Sequence, residues 1–330
     1  MIKKALLVGI NHYDNNDSNL NGCIKDVEMM TELLSFNYGE RKGHNKANFE
    51  CKSLKSNPVE FGNKITRTLL KREIKMLFND PKADVVLFYF SGHGFESSLG
   101  GYLVTQDAKT YEEGVSFNDI ITYANKSVNK EIIIILDCCR SGHFGKITIA
   151  KSHLSNIQEG ISVLTASTAK QDSWDTSNGA VFTNLIGNAL KGGSSDLTGN
   201  VKVTNLYQHA ERMLGPWEQR PTLKMNTKNL VVLRKAEPKV KFELLQKITN
   251  YFPNQDYVFP LGPEFEPTEK TAQKEKAAVF ADLQKLANNG LVQPVGEKYM
   301  YYAAIHSKSC KLTLVGKQYW ELLHNKALIY

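Results

Sequence analysis

The sequence predicts an α/β protein built on a mostly parallel sheet, with helices on both faces and a smaller α+β domain at the carboxyl end. Two apolar runs, 84–90 and 132–136, lack polar alternation, which is typical of strands buried on both faces. Strand-like segments alternate with segments of helical spacing as far as residue 235, which indicates parallel strands joined by helices. After a charged, proline-containing stretch at 235–239 the patterning becomes helix-rich.

The elements of the first part follow from this alternation. Segment 23–36 carries apolar residues at helical spacing, and segment 182–190 is followed closely by two glycines, a common helix stop. Strands are predicted at 5–10, 48–54, 85–90, 101–104, 132–138, 161–166 and 230–233. Helices are predicted at 23–36, 61–78, 117–125, 182–190 and 205–214.

The linker divides the chain into predicted domains 1–235 and 236–330. The second domain is predicted to contain helices at 242–251, 270–287 and 314–323, a loop at 253–267, and a hairpin formed by 291–292 and 299–305. Its order of helix, strand, strand and helix, with a basic turn at 307–309, resembles a winged helix.

Composition narrows the function classes. The five cysteines are scattered, without disulfide-framework or zinc spacing, so a reducing, cytoplasmic setting is expected. No signal-peptide pattern and no apolar run of membrane-spanning length occurs, so no membrane association is expected. The net charge of +7 is spread along the chain, which is compatible with nucleic acid or an acidic partner but typical of an ordinary soluble surface.

Reactive side chains follow the two buried runs. The run 132–136 ends in Asp137, Cys138, Cys139 and Arg140, and the run 84–90 ends in Ser91-Gly92-His93-Gly94. In open α/β sheets, sites form at the carboxyl ends of strands. A cysteine and a histidine delivered by two such strands are the groups that nucleophilic thiol catalysis requires.

Four segments together resemble the caspase/metacaspase family of cysteine peptidases, closest to its metacaspase and bacterial orthocaspase branch. They are residues 5–11, 20–27, 91–94 and 137–142, and the resemblance covers about residues 1–235. The resemblance implies a caspase-like, mainly parallel sheet with the histidine and cysteine on neighbouring strand ends. It also implies roles in regulated cell death or antiviral defence.

By this resemblance Cys139 is the nucleophile and His93 the general base and acid of a Cys-His dyad, with no third triad member evident. Cys138, on the other side of the strand, is expected to be a packing residue. The backbone N–H groups of Gly94 and Cys139 are candidate oxyanion donors. The alternative for His93 is a hydrogen-bonded core histidine, and for Cys139 a small buried hydrophobe.

The resemblance also assigns a specificity (S1) pocket to Asp26 and Asp137, with Ser91 beside them. Two converging carboxylates favour a Lys or Arg side chain before the cleaved bond. Alternatively, Asp26 is an ordinary acid near a helix start and Asp137 merely caps a strand end. Asp172 and Trp174 are further candidates for the pocket wall.

Self-cleavage and calcium binding are two further features to which the sequence gives alternative interpretations. In this family the linker after the nucleophile is often cut on activation, so Lys146 and Lys151 are possible self-cleavage sites, although a plain surface loop explains them as well. No cofactor is predicted to be required. Calcium is possible, as in some metacaspases, but no loop has EF-hand spacing and solvated surface acids are the better interpretation. The candidate calcium ligands are Asp107, Glu112, Glu113 and Asp119.

The second domain is expected to be a regulatory or interaction domain, which controls the first domain by binding a protein partner or by oligomerising, rather than to bind nucleic acid. It contains no arginine, the usual reader of guanine, and the candidate helix 270–287 mixes lysines with acids. Tyr299, Tyr301 and Tyr302 suit either a stacking platform or ordinary strand positions. The chain is therefore predicted to be a cysteine endopeptidase. The alternatives are a catalytically silent caspase-fold adaptor and a DNA-binding regulator.

Overall fold

A computed structural model describes residues 1–14, 16–40, 48–57, 64–97, 100–109, 112–139, 157–166, 180–214 and 221–328. The chain forms two compact units, Met1–Ser195 with Asn200–Glu237, and Asp196–Gly199 with Pro238–Tyr330. The short stretch Asp196–Gly199 belongs to the second unit because Leu197 packs into that unit's core and accepts a backbone hydrogen bond from Val240.

The first unit contains ten strands and five α-helices within the described residues. The strands are β1 (Lys3–Gly9), β2 (Glu50–Lys55), β3 (Val85–Ser97), β4 (Gly100–Lys109), β5 (Glu112–Ser116), β6 (Glu131–Cys139), β7 (Ile161–Thr165), β8 (Asn200–Lys202), β9 (Thr222–Asn226) and β10 (Val232–Lys235). The helices are α1 (Cys23–Ser35), α2 (Arg67–Phe78), α3 (Phe117–Asn125), α4 (Val181–Asn188) and α5 (Val203–Met213).

The main sheet has the order β2-β1-β3-β6-β7-β9, parallel except for β9, and β4 and β5 form an antiparallel extension of β3. Alternate residues of β3 and β6 enter two different cores: Phe88 and Ile134 pack with α2 and α3, whereas Leu87 and Ile135 pack with α1, α4 and α5. Burial on both faces explains why these strands are continuously apolar in sequence. The predicted α/β class is confirmed.

The edges of this sheet differ from the prediction. The strand predicted at 85–90 runs on to Ser97, and the one predicted at 101–104 extends to Lys109. The sequence did not indicate β5, β8 or β9, which are short, half-exposed and rich in polar residues. The strand predicted at 230–233 does form, as β10, but it pairs with β8 outside the main sheet.

The second unit is an α+β structure around its own core. Its helices are α6 (Phe242–Gln246), α7 (Ile248–Tyr251), α8 (Lys274–Asn288), α9 (Met300–Ile305) and α10 (Leu314–His324). Its strands β11 (Val258–Pro260), β12 (Val292–Val295) and β13 (Ser309–Leu312) form an antiparallel sheet in the order β11-β13-β12. Phe252, Phe280 and Trp320 are among the side chains that fill the core.

The predicted hairpin in this unit is wrong, because residues 300–305 form helix α9 rather than a strand. Met300, Ala303 and Ala304 are buried, which is the helical spacing of three and four, whereas Tyr301 and Tyr302 are exposed. With a helix between β12 and β13, the winged-helix resemblance is not confirmed. None of the described helices is long and apolar enough to cross a membrane.

Candidate active site

Strands β3 and β6 bring the predicted dyad residues into register. The two strands pair in parallel from Val85 and Glu131 at one end to His93 and Cys139 at the other. Because neighbouring strands lie about 4.8 Å apart, the backbones of His93 and Cys139 stand side by side. Both strands owe this position to their buried aliphatic runs, which hold them in the middle of the sheet.

The His93 ring is buried and held in a defined orientation. Its Nε2 atom lies 2.7 Å from the backbone carbonyl oxygen of Ser18. A carbonyl can only accept a hydrogen bond, so Nε2 carries the hydrogen and, in the neutral ring, Nδ1 holds the lone pair. Nδ1 is therefore the nitrogen able to take a proton. The sequence did not indicate Ser18, because any residue type can supply a backbone carbonyl.

Tyr13 supports the same histidine from a second direction. The Tyr13 hydroxyl accepts a 2.9 Å hydrogen bond from the His93 backbone N–H, and the two ring centroids lie 4.8 Å apart. A Cβ on Gly92 would lie 3.0 Å from this hydroxyl and 2.9 Å from the Phe90 ring. Gly92 thus makes room for Tyr13 and Phe90, a reason that its place in the motif did not reveal.

Asp26 and Asp137, the two predicted pocket acids, are both buried and both bond to the start of α4. The two oxygens of Asp26 accept from the Ser91 hydroxyl at 2.8 Å and from the Ala180 backbone N–H at 3.2 Å. One oxygen of Asp137, Oδ2, accepts from both the backbone N–H and the hydroxyl of Thr183, at 3.1 and 2.5 Å. Negative charge is favoured at a helix N-terminus. The structure therefore brings Asp26, Ser91 and Asp137 to one place.

This arrangement also explains how α4 begins without a polar N-cap residue. Ala180 is the N-cap and makes no side-chain cap bond, so the Asp137 carboxylate from β6 satisfies the third helical N–H instead. Tyr89 adds a further buried group, with its hydroxyl 2.6 Å from the Thr183 hydroxyl. Burial, and then the nearby Asp26 and Asp137 carboxylates, raise the pKa of Tyr89 well above its usual value. The sequence indicated Tyr89 and Thr183 only as strand and helix residues.

Comparison with known proteins assigns the family. Residues 2–231 match the sequence profile of the caspase domain, peptidase C14. The chain belongs to the caspase-domain family. It resembles Metacaspase-1 of Plasmodium falciparum, with 32% identity over 153 residues that cover 42% of this chain and 24% of that protein. It also resembles Metacaspase-6 of Arabidopsis thaliana, with 29% identity over 188 residues, 54% of this chain and 45% of that protein.

This chain therefore spans less than half the length of the two relatives. A solved structure from Geobacter sulfurreducens aligns with it at a TM-score of 0.51, with 15% identity, over 72% of this chain and 100% of the other. At that identity the likeness shows the fold alone.

Cys138 precedes Cys139, the predicted nucleophile, and packs against the core that α2 and α3 form with the sheet. Burial raises the pKa of the Cys138 thiol well above its usual value, and the Asp137 carboxylate and Cys23 add to the effect. Since the thiolate is the reactive form, Cys138 is a poor nucleophile near neutral pH.

Two of the candidate calcium ligands bond to other residues of the first unit. Asp107 accepts bonds from the Arg67 backbone N–H and the Thr105 hydroxyl, and Asp119 pairs with Lys71 at 2.6 Å. Across the described ranges, no group of three or more His, Cys, Asp or Glu side chains is arranged to hold a metal ion. Gly94 pairs with Leu103 of β4, and its role as an oxyanion donor stays a prediction. Lys146, Lys151, Asp172 and Trp174 lie outside the described residues.

Proposed function

We propose that this caspase-domain protein is a cysteine endopeptidase with a Cys139-His93 dyad that cleaves proteins after Lys or Arg. The observation that carries the proposal is the register of His93 with Cys139, together with the Ser18 carbonyl bond that leaves Nδ1 of His93 as the basic nitrogen.

The proposed reaction begins with transfer of the Cys139 thiol proton to Nδ1 of His93. The thiolate then attacks the carbonyl carbon of the substrate, and the N–H groups of Gly94 and Cys139 stabilise the oxyanion. The intermediate collapses, the C–N bond breaks, and His93 returns its proton to the leaving amine. Water, deprotonated by His93, hydrolyses the acyl-enzyme and regenerates the thiol.

The specificity proposal depends on the two buried carboxylates. Asp26 and Asp137 are buried, and each accepts hydrogen bonds from protein donors. A Lys or Arg side chain entering beside them would gain charge-assisted hydrogen bonds, whereas an Asp side chain would be repelled. The pocket chemistry therefore favours basic residues before the cut.

The proposal is tested with fluorogenic peptides ending in Arg, Lys or Asp, and by proteome-wide cleavage profiling of wild type against Cys139→Ala, with and without calcium. We expect cleavage after Arg and Lys only, loss of all cleavage in Cys139→Ala, and a loss of about 10²–10⁴-fold in kcat for His93→Gln. Cys138→Ala is the matched control and should retain activity. Identical wild-type and Cys139→Ala profiles would instead favour a silent adaptor, and cleavage after Asp alone would overturn the pocket assignment.

Self-processing is a second part of the proposal. The residues 144–159 contain Lys146 and Lys151, both of the type that the proposed pocket accepts. Intact mass of the purified protein should show fragments that end at one of these lysines and that disappear in Cys139→Ala. An unchanged mass after full activation would remove this idea.

For the second unit we propose protein binding or oligomerisation rather than DNA binding. Tyr299, Tyr301 and Tyr302 are exposed on or beside α9, and exposed tyrosines are common in protein interfaces. This unit has no arginine for base readout. A gel-shift at physiological salt should show no sequence-selective binding, and selective binding would overturn the choice. A cytoplasmic role in regulated cell death or antiviral defence stays a prediction.

A further inference from the structure

We propose that the buried Ser56 hydroxyl fixes the loop that supports His93, which makes Ser56 a positioning residue of the proposed peptidase. The inference rests on the proposed function and adds a residue outside the dyad and its pocket. Ser56 directly follows β2 and is 2% exposed. Its oxygen accepts hydrogen bonds from two consecutive backbone N–H groups, those of Asn11 at 2.8 Å and His12 at 3.1 Å. A hydroxyl oxygen has two acceptor positions, so one atom serves both donors.

These two bonds mark the point at which the chain leaves β1, which lies between β2 and β3 in the sheet. In an extended strand, consecutive N–H groups point to opposite sides. The Ile10 N–H bonds the Ser91 carbonyl of β3 at 3.0 Å, and the Asn11 N–H bonds Ser56 on the side of β2. The His12 N–H would return to the side of β3 if the strand continued, but it bonds the same Ser56 oxygen. The Ser56 hydroxyl therefore stabilises the turn with which the chain leaves the sheet.

The turn leads directly into a loop that contacts His93 twice. We call residues 11–14 and 16–20, which lie between β1 and α1, the support loop. Within it, the Tyr13 hydroxyl accepts from the His93 backbone N–H and the Ser18 carbonyl accepts from His93 Nε2. Both groups that hold the histidine therefore belong to one loop.

The support loop is closed by its own hydrogen bonds. The Leu20 N–H donates to the Asn11 carbonyl at 2.8 Å, and the Tyr13 N–H donates to the Asn19 side chain at 2.9 Å. Because Asn11 and Leu20 are bonded to each other, the position of one end of the loop sets the position of the other end. Removal of the Ser56 hydroxyl would release Asn11 and should displace both groups that hold His93.

Such a displacement should slow proton transfer more than it weakens substrate binding. The proposed transfer requires Nδ1 of His93 within hydrogen-bond reach of the Cys139 thiol, and a misplacement of about 1 Å can lower the rate about 100-fold. The hydrogen bonds of Asp26 and Asp137 come instead from Ser91 and the start of α4. Loss of the Ser56 hydroxyl should therefore lower kcat and leave KM nearly unchanged.

The test compares kcat and KM of wild type, Ser56→Ala and Ser56→Cys on the peptide that wild type cleaves best. Alanine removes the acceptor, whereas cysteine fills similar space with a sulfur that accepts hydrogen bonds only weakly. We expect Ser56→Ala to lower kcat about 10- to 100-fold with KM within about threefold of wild type, and Ser56→Cys to lose activity in the same direction. Ser56→Cys carries the test if the smaller side chain prevents folding.

The matched control is Ser116→Ala, which removes another serine hydroxyl of the first unit that accepts a backbone N–H. The Ser116 hydroxyl accepts from the Asp119 N–H at 3.1 Å, at the start of α3. Its loss should lower the melting temperature and leave kcat unchanged. A double-mutant cycle with His93→Gln then separates positioning from stability. Ser56→Ala should have little effect on the residual kcat of His93→Gln, because Ser56 acts through His93, whereas a loss of folded protein would lower kcat equally in both backgrounds.

The outcomes distinguish this inference from the proposed function. If wild type is active but both Ser56 variants keep kcat within about twofold of wild type, or if the loss is equal with and without His93, the positioning role is overturned and the proposed function stands. If wild type cleaves no peptide, the proposed function fails and this inference fails with it.

Discussion

Replacement of Tyr13 by Phe tests whether the tyrosine hydroxyl is needed to hold His93, the histidine of the proposed dyad. The substitution keeps the ring beside His93 and removes the hydroxyl that accepts the 2.9 Å bond from the His93 backbone N–H. Tyr13 is 4% exposed and His93 2%, so water cannot easily replace the lost partner. A buried donor left unpaired costs about 1–3 kcal/mol.

For a unit of this size, 1 kcal/mol shifts the melting temperature by about 2–4 °C, so Tyr13→Phe should lower the first unit's transition by roughly 2–12 °C. Differential scanning calorimetry of the full chain measures this shift. The control is Tyr38→Phe, because the Tyr38 hydroxyl bonds Glu237 on the surface and its loss should change stability by no more than about 0.5 kcal/mol. If both variants melt alike, the Tyr13 hydroxyl does not support His93 as argued.

Three further predictions test other parts of the fold. Gly114→Ala should destabilise the protein by more than about 1 kcal/mol, because φ is +144° and a Cβ would lie 2.0 Å from the Leu103 carbonyl oxygen. Its control is Gly39→Ala, where φ is +79° but no atom lies near the added Cβ, so the melting temperature should fall less in the same calorimetric assay. Burial lowers the pKa of Lys3 to about 8 from 10.5, so between these pH values the unfolded chain binds more protons and the free energy of unfolding rises with pH. Lys3→Met should flatten that rise in urea titrations at pH 7.5 and 9.5, and an unchanged slope would contradict the assignment. The Cys138 thiol should react with iodoacetamide more slowly than the Cys139 thiol, as peptide mass mapping would show, and equal rates would argue against its raised pKa.

The central strands could be predicted from the sequence because burial on both faces leaves a strong mark. The runs that form β3 and β6 are almost wholly aliphatic or aromatic, because an apolar core packs against each face of these strands. The edge strands β5 and β9 carry no such mark. They are short and partly exposed, and they form through pairing with strands already in place.

The residues of the candidate site were likewise predictable only in part. His93, Cys139, Asp26 and Asp137 stand in motifs whose residue types carry the chemistry, so the sequence indicated them. The partners that orient these side chains do not stand in such motifs. Ser18 contributes a backbone carbonyl, Ala180 a backbone N–H, and Thr183 a side chain from a helix distant in sequence. Such partners depend on three-dimensional proximity, which residue types do not encode. In the second unit, Met300, Ala303 and Ala304 have the spacing of a buried helix face. The neighbouring tyrosines favour strands, however, and the segment was predicted to be a strand for that reason.

The position of His93 and Cys139 within the β3-β6 ladder has a consequence for how the proposed peptidase can be kept inactive. These strands lie in the interior of the sheet, between β1 and β7, and elements of that kind open only at free energies close to that of global unfolding. Thermal fluctuations of the native protein therefore leave these strands paired along the part flanked by β1 and β7, which ends at Ser91 and Leu136. A latent form of this protein is expected to keep the strands that carry the proposed dyad residues paired in this part. Amide hydrogen exchange in residues 85–91 of β3 and 131–136 of β6 should then be equally slow before and after activation.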